Sequence, residues 1–345
     1  MTSRHPSDPQ CSSSTHQVKA YGFPFTINRS ASIIFRLSRP RTWVFPSISL
    51  ILGYTSVGGG SLQRLLIGIM SACLVTASTN LVNAFADRRE DLMNQPSRAL
   101  WLEKIGPFEA LVVAFALYAI AGTVSLLLGP LFMLILGLGI LDSLFYSLPP
   151  LRFKANPIRS LVSFSGAVGL AFLGGMSING SVDVFNPFFL LCTYFMFAYG
   201  AVKNLPDYRG DKRASIKTSA TIFPTIRDAV IVGSVLLFTP YLLLVGLVFA
   251  GVVGTIYLLD LGFVVILSLI IREMSLTMTP EGLEKAHTIG FFYAISFLVF
   301  TLVLMSPTLL TLVIVLGAYA WTLLVSKVKV DSRAERRDWE TTINN

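Results

Sequence analysis

Residues 107–148 read PFEALVVAFALYAIAGTVSLLLGPLFMLILGLGILDSLFYSL, two apolar runs, 107–128 and 130–148, that meet at Gly129. A bilayer hydrocarbon core about 30 Å thick is crossed by roughly 20 consecutive apolar residues in helical form, and each run has that length. Working outward, comparable runs can be marked at 42–60, 62–85, 158–179, 186–203, 228–248, 251–271, 288–305 and 307–326. Their β-branched and glycine content does not make them strands, because an open sheet cannot satisfy its backbone in lipid and barrel-type alternation is missing. The expectation is an all-α, polytopic transmembrane helical bundle of nine or ten spans. The choice between the two numbers rests on whether Pro307 separates the last pair.

Composition agrees. The chain has 345 residues, 53% hydrophobic and 13% charged, with a mean hydropathy of +0.68, outside the range of ordinary soluble domains. A net charge of +8 does not imply nucleic acid, because Lys and Arg lie in short patches between apolar runs and form no clustered basic face. Those patches alternate along the chain. Arg88, Arg89, Arg98 and Lys104 follow the second run; Arg152, Lys154 and Arg159 the fourth; Lys203, Arg209, Lys212, Arg213 and Lys217 the sixth; Arg272 and Lys285 the eighth. The intervening loops hold little beyond Arg64. Lys/Arg bias therefore predicts a cytoplasmic N-terminus, carrying Arg29, Arg36, Arg39 and Arg41, with all four rich loops on the same side. The basic stretch KVKVDSRAERRDW near the C-terminus favours an even number, ten. Residues 1–25 read as a polar disordered tail, 26–326 as the membrane domain and 327–345 as a basic tail. Cys11, Cys73 and Cys192 have no metal-ligand spacing and are expected to be inert.

Two short stretches carry chemistry. NAFADRRED, residues 83–91, holds Asp87 and Asp91, and KNLPDYRGDKR, residues 203–213, holds Asp207 and Asp211. Side chains four apart lie one turn apart on the same helix face, so each pair points together, with Asn83 a turn before the first. A single such pair is an ordinary loop feature. Two of them, at the ends of the second and sixth runs and on one predicted side, form a candidate site. Four carboxylates would repel unless a cation lay between them, and hard oxygen ligands suit Mg²⁺, which usually keeps waters and bridges carboxylates to substrate phosphates. With Arg and Lys close by, the predicted ligand is an organic diphosphate. A third stretch, YSLPPLRFK at residues 146–154, ends the fourth run at Pro149 and Pro150, so that Arg152 and Lys154 emerge level with the aspartates. These two residues also suit a snorkelling interfacial anchor.

These motifs resemble the intramembrane prenyltransferase superfamily of the UbiA type. Its first motif, N-x-x-x-D-x-x-x-D followed by N-x-P-x-R-P, is similar to Asn83, Asp87 and Asp91 followed by Asn94, Pro96 and Arg98. KNLPDYRGDK resembles the second and YSLPPLRFK the loop between them, and the resemblance spans about residues 35–300. Ala84 replaces an acid often found after the Asn, Ala99 stands where Pro is common, and the last run extends beyond the usual nine. The resemblance implies a central cavity open to the cytoplasmic side. It also implies Mg²⁺ held by Asp87, Asp91, Asp207 and Asp211 with help from Asn83. Arg98, Arg152, Lys154, Lys203 and Lys212 would contact the diphosphate of an isoprenyl donor. The C–O bond would ionise to an allylic carbocation, captured by an aromatic acceptor, and Asp142, Tyr146 and Asn204 are candidates for the acceptor side. Asp260 is expected to be structural, and His287 an interfacial residue. A membrane terpene cyclase without acceptor is the alternative. A transporter is disfavoured because the aspartates lie at helix ends and not at the midplane.

Overall fold

The computed structural model describes residues 29–213 and 215–327, and the two expected tails lie outside these apart from Lys327. Among the described residues the regular structure is helical. In chain order, α1 spans Arg29–Leu37, α2 Val44–Ser56, α3 Leu62–Asn94, α4 Pro96–Ile105, α5 Pro107–Ser125, α6 Pro130–Ser147 and α7 Pro157–Ser177. Then come α8 at Pro187–Lys203, α9 at Tyr208–Arg213, α10 at Ile226–Phe249, α11 at Phe263–Leu276, α12 at Pro280–Met305 and α13 at Leu309–Lys327.

Proline sets many of these starts. Helices α4 to α8 and α12 each carry Pro in the first turn, where the missing amide hydrogen costs nothing and φ is already helical. Asn156 completes one such start by accepting hydrogen bonds from the amides of Ile158 and Arg159 at 3.1 and 3.0 Å, an N-cap that fixes where the basic loop ends and α7 begins. Pro240, inside α10, removes the amide that would bond to the Leu236 carbonyl. The Thr239 hydroxyl donates to that carbonyl instead, at 2.7 Å.

Nine helical segments among the described residues are long and apolar enough to cross a membrane. Pro307 does break the last pair, α12 from α13. The shortfall from ten is at the other end of the chain. The run at 42–60 forms a 3-10 turn at Pro40–Trp43 and then only the 13 residues of α2, about 20 Å of helix. Gly58, Gly59 and Gly60, all at positive φ, stop it early.

Short as it is, α2 lies at the centre of the packing. Its main neighbour is α7, and it also touches α3 and α12. In lipid, apolar helices gain little from leaving the solvent, so close van der Waals packing and interhelical hydrogen bonds must hold them together. Gly53 of α2 and Gly175 of α7 make that approach possible. A Cβ on Gly53 would lie 1.8 Å from the Phe172 carbonyl oxygen, and one on Gly175 would lie 1.9 Å from that of Leu50. The buried Ser49 hydroxyl adds a bond to the Val168 carbonyl at 2.7 Å. A larger apolar core gathers α2, α7, α8, α10 and α12, and a smaller one joins α1, α3, α4 and α5 around Leu81, Val82, Ala84, Trp101 and Leu102. Exposed Phe108, Leu242, Phe249 and Leu309 belong to an apolar outer surface suited to lipid. Helix α13 packs on α2, α12 and the Pro40–Trp43 turn. Its Trp321 stacks on Trp43 at 5.9 Å and donates its indole N–H to the Pro40 carbonyl at 2.9 Å.

Candidate active site

The helix ends that carry charge come together at one end of the bundle. Asp87 and Asp91 occupy the last turns of α3, Asp207 closes a 3-10 turn at Leu205–Asp207, and Asp211 sits in α9. Asp91 and Asp211 are buried. Asp91 lies close enough to Asp207 for their charges to interact, so the two motifs, distant in sequence, share one electrostatic neighbourhood.

The chain's own cations balance them. Lys154 Nζ contacts the carboxylates of both Asp87 and Glu90, and Arg152 contacts Glu90. Burial draws the Lys154 ammonium down to about 8, and the nearby Asp211 carboxylate opposes that fall. Lys154 therefore touches the first acidic stretch and senses the second. Arg98, on α4, is buried and pairs with Asp91 at 2.9 Å. It also donates to Asn83 Oδ1 at 2.8 Å, which leaves the Asn83 amide hydrogens free to bond to Asp87 Oδ2 at 2.9 Å. Arg98 thus orients Asn83, and Asn83 orients Asp87. Two residues here adopt left-handed backbone, Arg39 at φ 48° and Arg152 at φ 35°, a conformation costly for non-glycine residues and concentrated at functional sites. The Arg39 side chain contacts Gln95, just past the end of α3. The Asn94 side chain lies outside the described residues.

Below this charged end is a cavity of about 320 Å³. Asn80, Asn83, Asp142, Tyr146, Lys203, Arg39, Arg41 and His287 supply its polar lining, and Leu50, Phe132, Ile135, Val168, Leu170 and Met196 are among its apolar walls. Lys203 also lies over the Phe164 ring at 3.9 Å, and Arg41 over Phe291 at 4.0 Å. Val325, on α13, completes part of the wall.

The cavity is held by a ladder between α3 and α6. The Ser143 hydroxyl donates to Thr79 Oγ1 at 2.8 Å and also pairs with the Tyr118 hydroxyl from α5. One turn nearer the charged end, Asn83 Nδ2 reaches Ser147 Oγ at 3.5 Å. Asp142 accepts from Ser163 Oγ at 2.9 Å, and Tyr146 is hydrogen-bonded to the Ser160 side chain, so α6 is also tied to α7.

Not every predicted residue joins this cluster. Lys212 donates to the Tyr208 hydroxyl at 2.7 Å and contacts the Pro224 carbonyl. Asn204 donates to Ser219 Oγ at 2.9 Å. Both brace the loop after α9. Asp260 is fully buried and accepts from Thr301 Oγ1 at 3.2 Å, a structural pairing. Glu90, in contrast, lies outside the aspartate spacing although it holds both basic residues of the 148–156 loop. Its place three residues after Asp87, on the same helix face, is the signal that would have found it.

Among the described residues no three acidic, His or Cys side chains converge on a single point able to hold a metal ion. The chemistry of the donor set still fits Mg²⁺. All the candidate ligands are hard oxygens gathered at one cavity end, and Mg²⁺ completes its shell with water and substrate phosphate more often than with an all-protein cage.

Comparison with known proteins supplies the lineage. Over 236 residues the chain is 26% identical to a digeranylgeranylglyceryl phosphate synthase of Natronomonas pharaonis, covering 66% of this chain and 82% of that protein. It is 30% identical over 147 residues to the bacteriochlorophyll synthase 34 kDa chain of Chloroflexus aurantiacus, covering 41% and 47%. It is 28% identical over 167 residues to a 2-acylphloroglucinol 4-prenyltransferase of Humulus lupulus, covering 45% and 39%, so these last two alignments span less than half of each relative. A UbiA homologue from Archaeoglobus fulgidus, solved with GPP and Mg²⁺, shares the fold at TM-score 0.57 and 20% identity, covering 85% of this chain and 99% of that one. A UbiA homologue from Aeropyrum pernix does so at TM-score 0.57 and 15% identity, covering 79% and 97%. The sequence matches the UbiA prenyltransferase family over residues 44–286, and the chain belongs to that family: it is an integral, multi-pass membrane prenyltransferase.

Proposed function

We propose that this enzyme transfers an isoprenyl chain from its diphosphate to an aromatic acceptor, with Mg²⁺, through an allylic carbocation. The observation that carries the reading is the meeting of two aspartate pairs with Arg98 and Lys154, beside the Asn83 end of a largely apolar cavity. Mg²⁺ bound by Asp87, Asp91, Asp207 and Asp211, with Asn83 assisting, would neutralise the departing diphosphate. Lys154 and Arg152 would turn from the carboxylates to phosphate oxygens, and Lys203 lines the cavity at the end of α8. Arg98 keeps Asn83 and Asp91 oriented throughout. Apolar walls accommodate the isoprenoid and exclude the water that would otherwise quench the cation. The GPP- and Mg²⁺-bound homologue and the acylphloroglucinol-directed relative support this donor and acceptor chemistry. By loop charge, the aspartate end faces the cytoplasm.

The test is diphosphate release from membranes containing the enzyme, Mg²⁺, prenyl diphosphates and a panel of aromatic acceptors. Asp87→Ala and Asp207→Ala are each expected to abolish release while the protein still inserts. Near-normal turnover in either would overturn the metal assignment, and terpene formed equally well without any acceptor would replace transfer by cyclisation.

A further inference from the structure

Asp142 is the only carboxylate among the described residues that lines the cavity. Ser163 Oγ holds one of its oxygens at 2.9 Å, and among the described residues no hydrogen bond to the other is seen. Its neighbour Ser143 is bonded to α3 and α5, and Tyr146, one turn on, is bonded to α7. Four helices therefore fix the position of this group. Its depth follows from the ladder. Asn83 is level with Ser147 and Thr79 with Ser143, so Asp142 lies about one turn deeper than Asn83 and two deeper than Asp87, roughly 11 Å below the aspartate end. At that level the cavity is lined by Thr79, Asn80, Ser143, Tyr146 and Ser163, with Gly139 and Ala167 on the next turns of α6 and α7. The cationic lining residues come from elsewhere: Arg39 and Arg41 precede α2, Lys203 ends α8 and His287 lies on α12.

An ionised carboxylate only accepts hydrogen bonds. Set beside Ser143, Tyr146 and Ser163, whose hydroxyls are already bonded within the protein, it rewards a ligand that offers a proton and penalises one that brings a second negative charge. We infer that Asp142 selects the acceptor: the enzyme takes a neutral aromatic that donates an O–H hydrogen bond to this carboxylate, a phenol, and discriminates against acceptors bearing a carboxylate or phosphate there. The inference rests on the transferase reading above and narrows it to one acceptor class. Asp142 would touch the acceptor and leave the diphosphate to the residues two turns above.

The test uses membranes of the full-length enzyme with prenyl diphosphates of ten to twenty carbons and three probes: 4-propylphenol, its methyl ether, and 4-hydroxybenzoate. The wild type is expected to prenylate the phenol and to turn over the ether and the acid poorly. Asp142→Asn, which keeps the shape but loses the charge and gains a donor, is expected to raise the KM for the phenol about tenfold, the worth of one charge-assisted hydrogen bond. It should shift the acid-to-phenol ratio of kcat/KM upward by a similar factor, with the KM for the prenyl diphosphate unchanged. Ser163→Ala should weaken phenol use several-fold while keeping the acid excluded. A merely structural Asp142 would lower all acceptors together and leave the ratio fixed, which would overturn the inference while the transferase reading stood. So would equal use of the phenol and its ether by the wild type. Terpene formation with no acceptor consumed would sink the transferase reading, and this one with it.

Discussion

Arg98 offers the sharpest energetic test. Only 3% of its side chain is exposed, against 6% for that of its partner Asp91, and the two pair at 2.9 Å. Replacing Arg98 with Leu keeps much of the volume but removes the ion-pair partner of a buried carboxylate and leaves it only the more distant charge of Arg39, a change that costs about 3 kcal/mol. It also releases Asn83, whose carbonyl Arg98 holds at 2.8 Å, so the amide loses the fixed orientation that directs it to Asp87. The two effects can be separated. Adding Asp91→Asn removes the stranded charge, so Arg98→Leu/Asp91→Asn should recover a coupling of about 2–3 kcal/mol, within the range for residues in direct contact. Catalysis should not recover, because Asn83 remains unheld and a carboxylate is missing. The assay is a double-mutant cycle in detergent, with denaturation midpoints for stability and diphosphate release for activity. Arg98→Leu as stable as the wild type, or a double variant no more stable than Arg98→Leu alone, would refute the assignment of Arg98 as the buried counter-charge.

Further outcomes follow from the same geometry. Lys154→Gln should raise the KM for prenyl diphosphate about tenfold or more, the scale of one hydrogen bond to a charged group, with little change in the KM for the acceptor; steady-state kinetics with each substrate varied separately reads this out. Ala84→Asp, which places an acid directly after Asn83, should destabilise this chain, because Ala84 is fully buried beside Leu81, Trp101 and Leu102 and an unpaired charge there costs several kcal/mol; the yield of folded protein on size exclusion measures it. Gly175→Val should cost at least about 3 kcal/mol, as overpacking against backbone that cannot yield, and thermal unfolding in detergent is the check.

The sequence made legible what is local. Spacing alone placed Asn83, Asp87 and Asp91 on one face, and loop charge assigned both aspartate pairs to one side. The structure brings them within electrostatic reach, Asp207 of Asp91 and Asp211 of Lys154, which pairs with Asp87. Three things were hidden for physical reasons. Hydropathy overstates the length of α2 because it averages over the turn at Pro40–Trp43 and the glycines at 58–60, whereas helix length depends on backbone conformation there. Lys212 and Asn204 have suitable chemistry at suitable positions but face the loop after α9, and no local periodicity encodes which way a loop folds back. The Thr79–Ser143–Tyr118 network unites three helices. Its members are unremarkable singly in sequence, since Ser and Thr occur throughout membrane helices and only tertiary adjacency gives them a partner.

Trp321 and Val325 bear on how the protein is made. The last helix supplies part of the cavity wall through Val325 and latches onto the Pro40 carbonyl through Trp321, 281 residues away in the chain. The ribosome delivers that helix after Asp87, Asp91, Asp207, Asp211 and the loop that carries Arg152 and Lys154. The diphosphate end can therefore assemble before the cavity is closed, and the step that finishes the hydrophobic chamber is the insertion of a segment beyond the family's matched region. That stretch of cavity wall therefore depends on a contact between two segments that are far apart in the chain.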